Sequence, residues 1–313
     1  MLGRVAPLLL AAGWLHAQPH VAWCPVFPAD NIWNVAVDRL PVHPDSALYI
    51  WSNGPDRRLH PDFGPKGAIP YVVVPPGQPK VPVRFTRGAS ESDPGPYPIP
   101  PDAPVEPGSD RHVIAIQRGE CRLYELFDAA PQPDGSWVAS SGAVFDLRSN
   151  RLRHRGWTSA DAAGLPIFAG LVRWEEVAAG EIRHALRLTV PRTRRKFVWP
   201  GRHFASRSEN AALPPIGQRF RLKAGYDISG FPREARVILQ ALKKYGLILA
   251  DNGSAWFITG APDARWNDST LAALKRVRGS DLEAVDVSPL MVSPDSGAAT
   301  PLSPSSPAPS RRR

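Results

Sequence analysis

Proline limits helix more than any other feature of this chain: 36 of its 313 residues are proline, and another 25 are glycine. A proline ring removes a backbone donor and clashes with the preceding helical turn. Such a chain suits many short strands joined by turns. The run SDPGPYPIPPDAPVEPG (92–108) is the extreme case, and its prolines force extended or turn geometry. It holds Tyr97 and Ile99 and lies between strand-like runs, so it reads as an ordered loop over a β-scaffold. Hydrophobic residues make up 43% of the chain, with 10 Trp, which is enough for a sizeable core. The expected fold is mainly β: one β-sandwich or jelly-roll-like domain with a few short helices.

The N-terminus, MLGRVAPLLLAAGWLHA, has a positive Arg4, a short apolar run and a small residue at Ala17. That pattern predicts a signal peptide over 1–17 and a secreted protein, extracellular or periplasmic. The β-rich domain is expected over 18–290, with a disordered Ser/Pro/Arg tail over 291–313. No later stretch is long and apolar enough for a stable membrane span. The formal charge of +9 permits polyanionic partners, yet no nucleic-acid-binding signature accompanies it, so no nucleic acid is expected. A monomer is expected. In an exported chain the pair Cys24 and Cys121 is readily oxidised to a disulfide, the alternative being two buried thiols.

HVIAIQRGECRLYELF (112–127) predicts a hairpin turning at Arg118-Gly119. A two-residue turn there sets His112 opposite Glu125, Ile114 opposite Leu123 and Ile116 opposite Cys121 on one face. WVASSGAVFDL (137–147) reads as a strand. IRHALRLTV (182–190) alternates, with His184 among Ile182, Leu186, Leu188 and Val190, and Arg183, Ala185, Arg187 and Thr189 on the other face. PREARVILQALKKYG predicts a helix from Pro232 to Gly246. Short helices are expected near Arg173–Ala178 and Ser269–Val277. LILADNGSAWFITG (247–260) predicts a second hairpin turning at Asn252-Gly253.

Six blocks, FPADNIWN, LHPDFG, ESDPGPYPIPPDAP, TSADAAGLPIFAGLVRWEEV, IRHAL and KYGLILADNG, are spread over residues 24–290. Together they resemble a group of secreted bacterial proteins. The resemblance implies one secreted domain and transfers no catalytic residue.

A His and a Glu on an apolar sheet face are costly unless they satisfy each other or do chemistry. His112, Glu125 and His184 are therefore the candidate general acid/base residues, with Asp161 of the TSAD loop as a second carboxylate. Their structural alternative is a satisfied buried hydrogen bond. Glu106, Asp110 and Asp146 supply further carboxylates near the hairpin. Ser159, Arg111, Tyr124, His203 and Trp157 are candidates for binding substrate, Trp157 by stacking on a sugar ring. Ser159 and Asp161 read structurally as a turn or cap. Expected cofactors are none; the alternative is a divalent metal on His112, Glu125 and His184. No GxSxG elbow, HExxH, Walker loop or dinucleotide fingerprint is present. The expected partner is a polysaccharide or other glycan, handled by a glycoside hydrolase or a polysaccharide lyase. A non-catalytic glycan-binding or envelope protein and a cupin-like metal enzyme are the competing classes.

Overall fold

The computed structural model describes residues 18–301, so the expected signal peptide and the tail from 302 onward lie outside the described residues. The strands begin with β1 (His20–Val21), β2 (Cys24–Pro25), β3 (His60–Asp62), β4 (Val72–Val74) and β5 (Val83–Phe85). Next come β6 (Val113–Gln117), β7 (Arg122–Phe127), β8 (Ala130–Pro131), β9 (Trp137–Ala139) and β10 (Ser141–Asp146). The last part supplies β11 (Leu186–Val190), β12 (Arg219–Leu222), β13 (Leu247–Asn252), β14 (Phe257–Thr259) and β15 (Leu282–Val285). The helices are short: α1 (Ser46–Asn53), α2 (Trp174–Ala179), α3 (Arg233–Lys244) and α4 (Asp268–Leu274). Among the described residues no helix is long and apolar enough to cross a membrane.

The molecule is thus mainly strands, in sheets of four (β10-β7-β6-β4), six (β15-β12-β13-β11-β14-β3), three and two strands. The two larger sheets share one core, where Ile114, Ile116 and Leu123 meet the apolar set of Leu186, Leu188, Leu249 and Ile258. The outer face of the four-stranded sheet forms a second core from Val113, Ala115, Tyr124 and Leu126. Tyr97 and Ile99 of the proline-rich run complete that second core, so this run is packed structure, as its two large apolar residues imply.

The hairpin forms with a different register. Ile114 faces Glu125 and Gln117 faces Arg122, leaving Arg118–Cys121 as a four-residue turn. Cys121 is drawn out of the ladder: it takes a left-handed φ of 52° and bonds to Cys24. Because the shift is two residues, every side chain keeps its face. The second expected hairpin does not form. β11 inserts between β13 and β14, parallel to the first and antiparallel to the second. Residues 137–147 break into β9 and β10 in different sheets. Residues 182–185 precede β11 instead of belonging to it. Residues 291–301, expected in the tail, bridge back: Met291 to Ala299, Arg151 to Ser296 and Asn31 to Ala298.

α3 follows the sequence closely. Ala235, Ile238, Leu239 and Leu242 are buried on its inner stripe. Gly246 ends it at φ +68°, and a Cβ there would meet the Phe220 carbonyl at 2.2 Å, so glycine is required twice over.

The Cys24–Cys121 bridge, with Cα atoms 5.4 Å apart, spans a sequence separation of 97 and ties the start of the domain to the hairpin turn. Closing so long a loop removes about 4–5 kcal/mol of unfolded-chain entropy. Replacing both cysteines by serine is expected to lower urea stability by several kcal/mol; a loss under about 1 kcal/mol contradicts the chain-entropy account.

Candidate functional site

Most residues singled out from the sequence are buried and take up structural tasks. His112 donates through Nδ1 to Glu106 Oε2 (2.5 Å) and faces the Ala160 carbonyl with Nε2 (3.2 Å). Both ring nitrogens meet acceptors, which suits the imidazolium. Burial opposes that charge, but the hydrogen bond and charge of Glu106 outweigh it and raise the His112 pKa. Glu125 is 0% exposed and accepts from the backbone N–H groups of Phe168 (2.9 Å) and Ile167 (3.0 Å). Burial pushes its carboxyl up to about 7, against the pull of those two donors.

His184 does not join them. Its Nδ1 donates to the Ala185 carbonyl (2.8 Å), and its Nε2 meets Glu176 Oε2 (3.0 Å) and Arg173 Nη2 (3.3 Å). The expected meeting of His112, Glu125 and His184 on one sheet face is therefore corrected: residues 182–185 lie outside the strand, and the imidazole turns to α2. The donor atoms of all three are committed elsewhere, and among the described residues no group of three His, Cys, Asp or Glu could hold a metal ion.

The expected binding residues scatter. Ser159 donates to the Leu165 carbonyl and accepts from the Asp161 N–H, a buried turn. Arg111 holds the Ala129 carbonyl through Nε. Tyr124 lies in the second core, its hydroxyl on Gln117. His203 meets the Ala162 carbonyl and stacks on Phe204. Trp157 lines a separate cleft of about 400 Å³ with Arg153, His154 and Asp93.

Asp161 leads to the site that the sequence left unseen. Its carboxylate, 2% exposed, takes both Nε (2.6 Å) and Nη2 (2.8 Å) of Arg187. Arg187 stands on β11 with Thr189, on the face away from Leu186, Leu188 and Val190. Register carries that polar face across the sheet. Thr189 pairs with Asp251 on one side and Phe257 on the other, and Phe257 pairs with His60. In the next row Arg187 Nη1 donates to Thr259 Oγ1 (3.1 Å), and Thr259 pairs with Asp62.

Carboxylates crowd this face. Asp251 lies 4.0 Å from Arg187 Nη2, and its side chain keeps 33% exposure. Burial first, then the Asp161 charge, pushes its pKa up to about 7, with Arg187 and the Asn252 N–H pulling down and Asp110 pushing up. The Asp62 pKa is raised by burial, lowered by His60, raised by Glu106, lowered by Arg187 and raised by Asp110. His60 stacks on Phe257 at 4.0 Å, and burial and Lys275 lower its pKa, against Asp62. His60 and Phe257 also line an open cleft of about 780 Å³ with Trp51, Asn53, Arg57 and Arg192.

Arg187, Asp251, Asp62 and His60 escape a reading of the sequence because each looks ordinary there. Arg187 and Thr189 read only as the face opposite the apolar one. Asp251 reads as part of a turn. Asp62 and Asp251 do fall inside LHPDFG and KYGLILADNG, the one signal that pointed at them. Comparison with protein-family models, curated proteins and solved structures found no match.

In the folded chain Glu125 and Asp251 hold protons that the unfolded chain releases from ordinary values of 4.5 and 3.8. Stability therefore falls as pH rises toward 7. The urea midpoint is expected to be higher at about pH 5 than at about pH 7.5, and Glu125→Gln to narrow the gap; a midpoint that rises over this range contradicts the assignment. Asp161→Asn leaves a buried guanidinium without its counter-charge and is expected to cost about 3–5 kcal/mol in chemical denaturation.

Proposed function

We propose that this is a secreted enzyme acting on an extracellular polysaccharide by acid/base chemistry. One arrangement carries the reading: a partly open carboxyl, Asp251, its pKa pushed up to about 7 by burial and by the Asp161 charge, ends a row of side chains that continues into an open cleft. A carboxylic acid that stays protonated near neutrality can donate a proton to a leaving oxygen. The disulfide is compatible with export. The shared core between the two large sheets supports a sandwich-like scaffold.

A glycoside hydrolase needs a second carboxylate, about 5–10 Å from the first. Asp62 is too remote: Asp251 and Asp62 stand on β13 and β3, three ladder steps apart, or roughly 14 Å at the backbone. Asp110 fits better, because its charge acts on both of these carboxyls and the residue is exposed. Asp251 is the proton donor in this reading, Asp110 the base or nucleophile, and Arg187 with Asp161 the positioning pair. Trp51, 71% exposed at the cleft, and Phe257 offer ring faces for sugars.

A polysaccharide lyase is the second reading, favoured by the cleft lining. Arg57, Arg58 and Arg192 line it and no carboxylate does. Guanidinium groups suit the carboxylates of an acidic sugar, and His60, its pKa lowered by burial, can accept the proton removed in elimination.

A panel of neutral and uronic-acid polysaccharides, assayed for reducing ends and for absorbance of an unsaturated product, separates hydrolase, lyase and binder. Asp251→Asn is expected to lower turnover by about 10²–10⁴-fold with the melting temperature unchanged or raised. Full activity in that variant, or binding without turnover by the wild type, contradicts the enzymatic reading.

A further inference from the structure

Two strands from Arg187, on the same face of the six-stranded sheet, Arg219 of β12 is 1% exposed. Its Nη2 reaches the carbonyls of Ile32 (3.1 Å) and Val35 (3.4 Å), while Nε and Nη1 find no hydrogen-bond partner. Among the described residues no carboxylate forms an ion pair with it, whereas two nearby arginines are paired. Arg221 pairs with Glu283, and Arg202 with Asp295. Burial, the sole influence on Arg219, pushes its pKa down to about 9. A buried charge with two idle donors is costly, and native proteins leave such groups unmatched rarely and with cause.

Arg219 also forms part of the wall of a pocket of about 370 Å³. The rest of that wall is largely apolar, from Phe197, Trp199, Val285, Val287 and Met291, with Asp286 as its carboxylate. Asp286 accepts from the Ser288 N–H. Arg155 lies over the Phe197 ring at 4.9 Å, and with Arg202 it adds positive charge to the lining.

We propose that this pocket binds an apolar monocarboxylic acid, of the medium-chain fatty-acid kind, with its carboxylate on the Arg219 guanidinium and its chain among Phe197, Trp199, Val287 and Met291. A carboxylate matches the fork of a guanidinium with two parallel hydrogen bonds, and a nitrogen pair with no partner is what such a ligand requires. Nε and Nη1 are closed to water, so binding includes a turn of the guanidinium toward the pocket. The apolar wall selects a hydrocarbon chain over an inorganic anion, which would leave that wall unfilled. This site lies two strands from Arg187 on the same face, shares no lining residue with the cleft at His60, and does not depend on what the polar row does.

Titration calorimetry and thermal melts with laurate, below its micellar concentration, test the proposal. Laurate is expected to bind one to one and raise the melting temperature, with dodecanol and chloride at least tenfold weaker. Arg219→Met removes an unbalanced charge, so without ligand it is expected to melt at or above the wild-type temperature and to bind laurate at least tenfold more weakly. Met291→Trp, at the half-open rim, keeps Arg219 and is expected to fold normally and to block laurate. No laurate binding by the wild type, equal binding of dodecanol, unchanged binding in Met291→Trp, or an Arg219→Met chain that fails to fold would each overturn it.

Discussion

The bidentate pair between Arg187 and Asp161 is the interaction on which the polar side of this molecule depends. Arg187 sits in the middle of a six-stranded sheet, where both faces of β11 are buried. A guanidinium can be kept there only if its charge is met at close range and its remaining protons are used. Asp161 supplies two bonds and Thr259 a third. In exchange, the TSAD loop is anchored to the sheet, and the Ala160 carbonyl beside it is set against His112. One ion pair thus fixes the relation between the loop, the edge of the four-stranded sheet and the row of side chains below.

Burial does the rest of the electrostatic work. Asp161 is in direct contact with Arg187, through two hydrogen bonds. Asp251 is farther from the same guanidinium, is only partly open to water, and faces the Asp161 charge, so its pKa is pushed up to about 7. Two carboxylates in one neighbourhood differ in which of them reaches the arginine: Asp161 bonds it directly, and Asp251 stays 4.0 Å away. That asymmetry is the feature acid/base enzymes build, and here it arises from strand register and one loop.

Part of this was legible in the sequence. Apolar periodicity placed α3, and the paired cysteines foretold the bridge between the N-terminal stretch and the hairpin. The large residues of the proline-rich run, Tyr97 and Ile99, marked it as packed. What sequence could not supply was the partner of each strand. Asn252-Gly253 is a good turn signal, but β11 outcompetes the local hairpin because it buries Leu186, Leu188 and Val190 between two neighbours. His184 looked like a strand residue because alternation ran on through Ile182, whereas the ladder begins at Leu186. The polar face itself was visible as Arg187 and Thr189, and only the long-range pairings to Asp251, Phe257 and Asp62 distinguish it from a solvated edge.

The chemistry proposed for the polar row requires Asp251 to be a neutral acid at physiological pH. Titrating its side-chain carboxyl by carbon-13 NMR, in protein labelled at aspartate, measures this directly. A midpoint close to 7 is the predicted result. A midpoint near the ordinary 3.8 would mean that the carboxylate is simply ionised, and the proton donor of the proposed chemistry would be lost.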